Sequence, residues 1–140
     1  NPGVSVLAPA LVDSSLQKLE LAHNFITTPG FLAIAKQLPQ ITRLRKLGLV
    51  ANDYSTEAEA ALTEALRHNT SVCQFKYVSS SHFTYYTRLN KAGRGLLRQD
   101  NVLTGLWPRV LSRYDDHDVV YYFLREKPEL CSYLGHLWEE

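Results

Sequence analysis

The chain has 140 residues, 45% of them hydrophobic, with a formal net charge of +1. That is enough chain for one domain with a real core. Near-neutral charge gives no general pull toward nucleic acid or an anionic membrane surface, and neither is expected as a partner. No apolar run approaches the roughly 20 residues of a membrane helix, and Asn1-Pro2-Gly3 lacks the basic start of a signal peptide. Cys73 and Cys131 are too few for a disulfide framework or a zinc site. The expectation is an intracellular protein, of the cytoplasm, with two free thiols.

In chain order, residues 1–15 read as the incomplete end of a repeat. Val6, Leu7, Ala10 and Leu11 keep helical spacing around Pro9, and Val12-Asp13-Ser14-Ser15 leads onward. No strand precedes this helix and no Met starts the chain. The expectation is a C-terminal piece of a longer array whose N-terminal repeats are missing. Then comes Leu16-x-x-Leu19-x-Leu21-x-x-Asn24-x-Ile26. It recurs as Leu44-x-x-Leu47-x-Leu49-x-x-Asn52-x-Tyr54, and more weakly as Val72-x-x-Phe75-x-Tyr77-x-x-Ser80, each copy 28 residues after the last. Alternating Leu19 and Leu21 point to one face, as strand residues do. The asparagine that follows offers a side-chain amide to backbone left open by the turning chain.

Helices are predicted between these strands. The first runs from Pro29 to Leu38, with Thr28 as its cap, Phe31, Ile34, Ala35 and Leu38 facing inward, and Pro39 as its stop. The second runs from Glu57 to His68 on Ala58, Ala61, Leu62, Ala65 and Leu66, with Thr56 and Glu59 as a capping box. The third spans Thr84 to Gln99, with Leu89, Ala92, Gly93 and Leu96 inward and Arg88, Lys91, Arg94 and Arg98 as a solvated outer stripe. Gly93 is expected to let helix and sheet approach closely.

A fixed period with this pattern is the signature of a leucine-rich repeat. The passage from Ala61 to Val72 resembles the helix-to-strand segment of ribonuclease-inhibitor-type repeats. That resemblance covers residues 4 to 99, and it implies an α/β leucine-rich repeat solenoid with a parallel sheet on the concave side and helices on the convex side. The repeats divide as 1–15, 16–43, 44–71 and 72–99. Residues 100–140 break the period and are expected to form a helical C-terminal cap. Its helices begin at Leu106-Trp107-Pro108, at Val119 after Asp115 and Asp118, and at Leu130, the last continuing through Leu134, Leu137 and Trp138. With Leu89-Asn90-Lys91-Ala92-Gly93-Arg94 and Tyr121-Tyr122-Phe123, this end resembles the C-terminal ends of leucine-rich repeat proteins from unicellular algae such as diatoms.

Sites of chemistry are sparse. Asp115-Asp116-His117-Asp118 has metal-ligand chemistry, but consecutive residues do not converge on one ion without a special loop, and helix capping accounts for the aspartates. Gly93-Arg94-Gly95 lacks the context of a phosphate loop. Cys73 and His82 have no evident third partner. Asn69-Thr70-Ser71 matches a glycosylation sequon but falls on turn and strand-entry positions. No catalytic residue, cofactor or metal is expected, and the chain is not read as an enzyme.

Binding is read on the strands instead. Residues alternating with the leucines form ladders 28 apart: Lys18, Lys46 and Gln74; Glu20, Gly48 and Lys76; Ala22, Val50 and Val78. The candidate binding residues are Lys18, Glu20, Ala22, Lys46, Val50, Lys76 and Val78. The expected function is a non-catalytic protein–protein interaction scaffold that holds another protein on its concave face. The alternative is a regulator of a GTPase, since the repeats also resemble those of Ran GTPase-activating proteins.

Overall fold

The structure, a computed structural model, describes residues 2–77, 81–98 and 115–131. Val78, Ser79 and Ser80, the expected helix at Leu106 to Leu111, and Leu134, Leu137 and Trp138 lie outside them. Two compact units divide the chain, Asn1–Lys91 and Ala92–Glu140.

The first unit is α/β. It contains α1 (Pro2–Ala10), β1 (Lys18–Glu20), α2 (Thr28–Gln37), a 3-10 turn at Leu38–Gln40, β2 (Lys46–Gly48), α3 (Thr56–His68), β3 (Gln74–Lys76) and α4 (Ser81–Lys91). The three strands form one parallel sheet in the order β1-β2-β3. Lys18 pairs with Lys46 and Lys46 with Gln74; Leu19 pairs with Leu47 and Leu47 with Phe75. The register therefore steps by the 28 residues that separate the sequence copies.

A single core joins helices and strands. Phe31, Ile34 and Leu38 from the α2 region meet Leu62 and Leu66 of α3 and Leu44, Leu47 and Leu49 around β2, all at most 1% exposed. Losing such a side chain to alanine costs about 2–5 kcal/mol. The flanking copies are less covered: Leu16 is 45% exposed, and Leu19, Leu21 and Phe75 are half-buried. Among the described strands, only β2 has a strand on each side.

The third copy fills its place with rings. Tyr77 sits edge-on to Phe31, Tyr54 and Phe83 at 4.8–5.5 Å and stacks on Phe75 at 5.9 Å. Its hydroxyl is buried with no hydrogen-bond partner among the described residues. Burial raises its pKa, helped by Glu59 and Tyr54, while the Ser55 backbone opposes the shift without reaching hydrogen-bond geometry.

Several local expectations are corrected. In α1 the buried residues are Val4 and Ala8, continued by Leu11, while Val6 is 77% exposed. This i, i+4, i+7 face is rotated from the Val6, Leu7, Ala10, Leu11 set. Ser55, not Thr56, caps α3: its hydroxyl accepts from the Ala58 N–H at 3.1 Å, and so no Thr56–Glu59 box forms. Thr27, not Thr28, is the N-cap residue of α2, and the Thr28 hydroxyl instead meets the Ser55 hydroxyl at 2.7 Å. The third helix ends early, at Lys91, because Gly93 takes φ +91°. That left-handed turn is open to glycine at little cost and ends the helical run.

In the second unit, a 3-10 segment at Arg94–Arg98 and α5 (His117–Glu126) are described. Arg94 is only 4% exposed, so it does not belong to a solvated outer stripe. Asp116 caps α5 by accepting from the Val119 N–H at 3.3 Å, and Val119 and Phe123 form its buried face. Tyr121 and Tyr122 flank the Arg125 guanidinium, with ring centroids 5.7 and 5.6 Å away. No described helix is long and apolar enough to cross a membrane.

Candidate functional site

The sheet presents alternate residues of its short strands to solvent. Lys18, Glu20, Lys46, Gln74 and Lys76 are exposed, whereas Leu47 between them is buried. The period-two geometry of a strand makes this sorting obligatory once the leucines are locked into the core. Together with Gly48 these residues line a depression of about 190 Å³. Four of the seven sequence-named residues, Lys18, Glu20, Lys46 and Lys76, thus share one site.

Ala22 and Val50 follow the strands and are half-buried. They continue the surface toward the strands' C-terminal ends, since the backbone ladder runs on through Leu21 N–H to Gly48 C=O at 2.8 Å and His23 N–H to Val50 C=O at 3.1 Å. Val78 lies outside the described residues.

Glu20 makes the centre of the depression distinctive. Its carboxylate lies across the sheet directly over Gly48, in the space a Cβ there would need. The absence of a side chain at Gly48 is what leaves this seat open. Lys76 is the register partner of Gly48 on β3, and Lys46 stands two residues before it on β2.

A second, more open depression of about 520 Å³ lies at the N-terminal ends of the strands, lined by Ser15, Gln17, Thr42, Arg43 and Arg45. Sequence reasoning missed these residues, although the signal was present: Arg43 and Arg45 fall 28 residues after Ser15 and Gln17. They are one residue out of step with the ladder of Lys18 and Lys46, which alternates with the leucines.

The loops that follow β1 and β2 are built alike. His23 and Ala51, 28 apart, both take positive φ, at 58° and 56°. Phe25 does so too, at 53°, and its ring is 88% exposed. Asn52 fixes the first loop. Its Oδ1 accepts from the Asn24 and Ile26 N–H groups, and its Nδ2 donates to the carbonyls of Leu21, Leu49 and Val50.

On the opposite side of the strands, Asn69 is fully buried. It donates to the Leu38 and Ile41 carbonyls at 2.8 and 3.0 Å and accepts from the Ser71 and Val72 N–H groups. That amide is a structural tie, inaccessible in the folded chain to any sugar transfer at the sequon. The chemistry on offer at the open face is charge and shape: lysines, arginines, a carboxylate and a carboxamide. Among the described residues, no group of three or more His, Cys, Asp or Glu side chains converges.

No family model matches the chain, and neither a curated protein nor a solved structure is significantly similar to it.

Proposed function

We propose that this chain is a leucine-rich repeat solenoid of the ribonuclease-inhibitor type. In this reading it works as a non-catalytic scaffold, holding a partner protein on a concave sheet face lined by Lys18, Glu20, Ala22, Lys46, Val50 and Lys76. The observation that carries the reading is the register. Residues 28 apart stand side by side on the sheet, so the periodic sequence becomes a continuous exposed surface. Its backbone is pinned by the leucine core and by Asn52, and a rigid surface loses less entropy on binding than a mobile one.

The test is capture on the immobilised full chain beside two variants. Val50→Asp puts a charge at the centre of the proposed contact, and Arg67→Glu changes an exposed position on α3. Both should keep the parent's melting temperature within a few degrees. Proteins retained by the parent and by Arg67→Glu but lost from Val50→Asp support the reading. Proteins lost from Arg67→Glu and kept by Val50→Asp overturn it.

A further inference from the structure

The depression on the strands and the one at their N-terminal ends carry five cationic side chains, Lys18, Arg43, Arg45, Lys46 and Lys76, against a single carboxylate, Glu20. None of the five is ion-paired to another described residue. The whole chain carries a formal charge of only +1, so the residues outside these two depressions sum to a net negative charge. Uncompensated charge of one sign on a rigid, exposed surface attracts and orients a partner of the opposite sign.

The surface also has a direction. The basic residues cluster at the strands' N-terminal ends and on the strands themselves, and Ala22, Val50 and the exposed Phe25 ring follow at the C-terminal ends. The chain's own Glu20 carboxylate already occupies the seat over Gly48, in the midst of the lysines. We infer that this face recognises an extended protein segment with acidic side chains followed by apolar ones, and that one of those acids takes the place of Glu20 over Gly48. Glu20 then acts as an internal competitor. It lies over Gly48 in the free protein without an ion pair to any of the five cations, and swings aside when the partner's acid arrives. A nucleic acid would supply negative charge along its whole length and leaves the apolar end unused.

This inference rests on the binding role proposed for the sheet face and is tested separately from it. Fluorescence anisotropy on the full chain would compare a labelled Glu-Glu-Glu-Glu-Val-Leu-Val-Leu peptide, its lysine counterpart Lys-Lys-Lys-Lys-Val-Leu-Val-Leu, and a single-stranded oligonucleotide. The acidic peptide is expected to bind, with affinity falling steeply as added salt shortens electrostatic range. Replacing Lys46 and Lys76 together by Gln should weaken it about tenfold, the combined worth of two exposed charge contacts. Glu20→Gln keeps the shape and removes the competing charge, and should tighten binding about threefold.

Equal binding of the lysine peptide, or an acidic-peptide affinity indifferent to the Lys46 and Lys76 changes, overturns the inference. So does weaker binding by Glu20→Gln, which would make Glu20 a contact and not a competitor. Preference for the oligonucleotide with the same lysine dependence overturns it in favour of nucleic acid. If the acidic peptide fails while Val50→Asp still abolishes capture of a protein, the scaffold reading stands and only the charge assignment falls.

Discussion

The side chain of Asn52 holds the loop of the neighbouring turn by its backbone, accepting from the Asn24 N–H at 3.0 Å while also accepting from the Ile26 N–H at 2.9 Å. Asn24 is exposed, and its own Nδ2 reaches the Ala22 carbonyl at 2.9 Å. Asn52→Ala should therefore destabilise the chain by about 2–3 kcal/mol, since it orphans several half-buried backbone groups. Asn24→Ala should cost about 1 kcal/mol or less. Asn52→Asp should fare no better than Asn52→Ala, because a carboxylate cannot donate to the Leu21 and Leu49 carbonyls. Urea denaturation of the three variants checks the order.

Tyr77 carries a buried hydroxyl with no partner among the described residues, and burial holds its pKa above the usual 10.0. Tyr77→Phe keeps the ring contacts and removes the unsatisfied group. It should be neutral or stabilising by up to about 1 kcal/mol. The pH dependence has a definite sign. A raised folded pKa means the unfolded chain loses the proton first, so stability is unaffected below about pH 10 and falls as pH rises from there through the folded value. The parent should lose stability above pH 10 more steeply than Tyr77→Phe, as thermal melts across that range would record. Parallel curves would show the hydroxyl to be solvated.

Gly93 holds φ +91° where α4 has just ended. Gly93→Ala should cost about 1–2 kcal/mol, the penalty of placing a Cβ in a left-handed backbone. Gly93→Asn should recover part of that loss, since asparagine tolerates this region better. Equal stability of the alanine variant in denaturant would show that the turn is not held left-handed.

Both cysteines are free. Cys131 is exposed, whereas Cys73 is half-buried with its Sγ 3.4 Å from the Ser71 carbonyl. A thiol reagent should modify Cys131 quickly in the native protein and Cys73 slowly, with two thiols reacting after denaturation. A disulfide-linked peptide in a non-reduced digest would contradict this.

How much of this was legible in the sequence depends on which forces act. Strand positions and register were legible because a 28-residue period leaves Lys18, Lys46 and Gln74 one place to go once their leucine neighbours are buried. The faces of α2 and α3 followed from their apolar spacing. The reach of Asn52 into the neighbouring loop was not legible, since the two copies read alike. The α3 cap slipped by one residue because Ser55 and Thr56 offer adjacent hydroxyls of similar capping power, and at α2 Thr27 holds the extended N-cap backbone without a side-chain cap bond. Arg94 was misplaced because the helical periodicity was carried through Gly93, where the backbone changes hand. The seat over Gly48 needed the structure outright: a glycine in a ladder does not announce which neighbour's side chain will lie across it.

Lysine footprinting tests the central claim most directly. A protein retained on the full chain would be bound, the complex treated briefly with an acetylating reagent, and each lysine's modification compared with that of the free chain by mass spectrometry. Lys18, Lys46 and Lys76 lie on the sheet face, whereas Lys36 and Lys91 are exposed on α2 and α4. Protection of the first three, with Lys36 and Lys91 as reactive as before, is the result expected. Protection of Lys36 and Lys91 with unchanged reactivity at Lys18, Lys46 and Lys76 would contradict binding on the sheet face and move it to the helices.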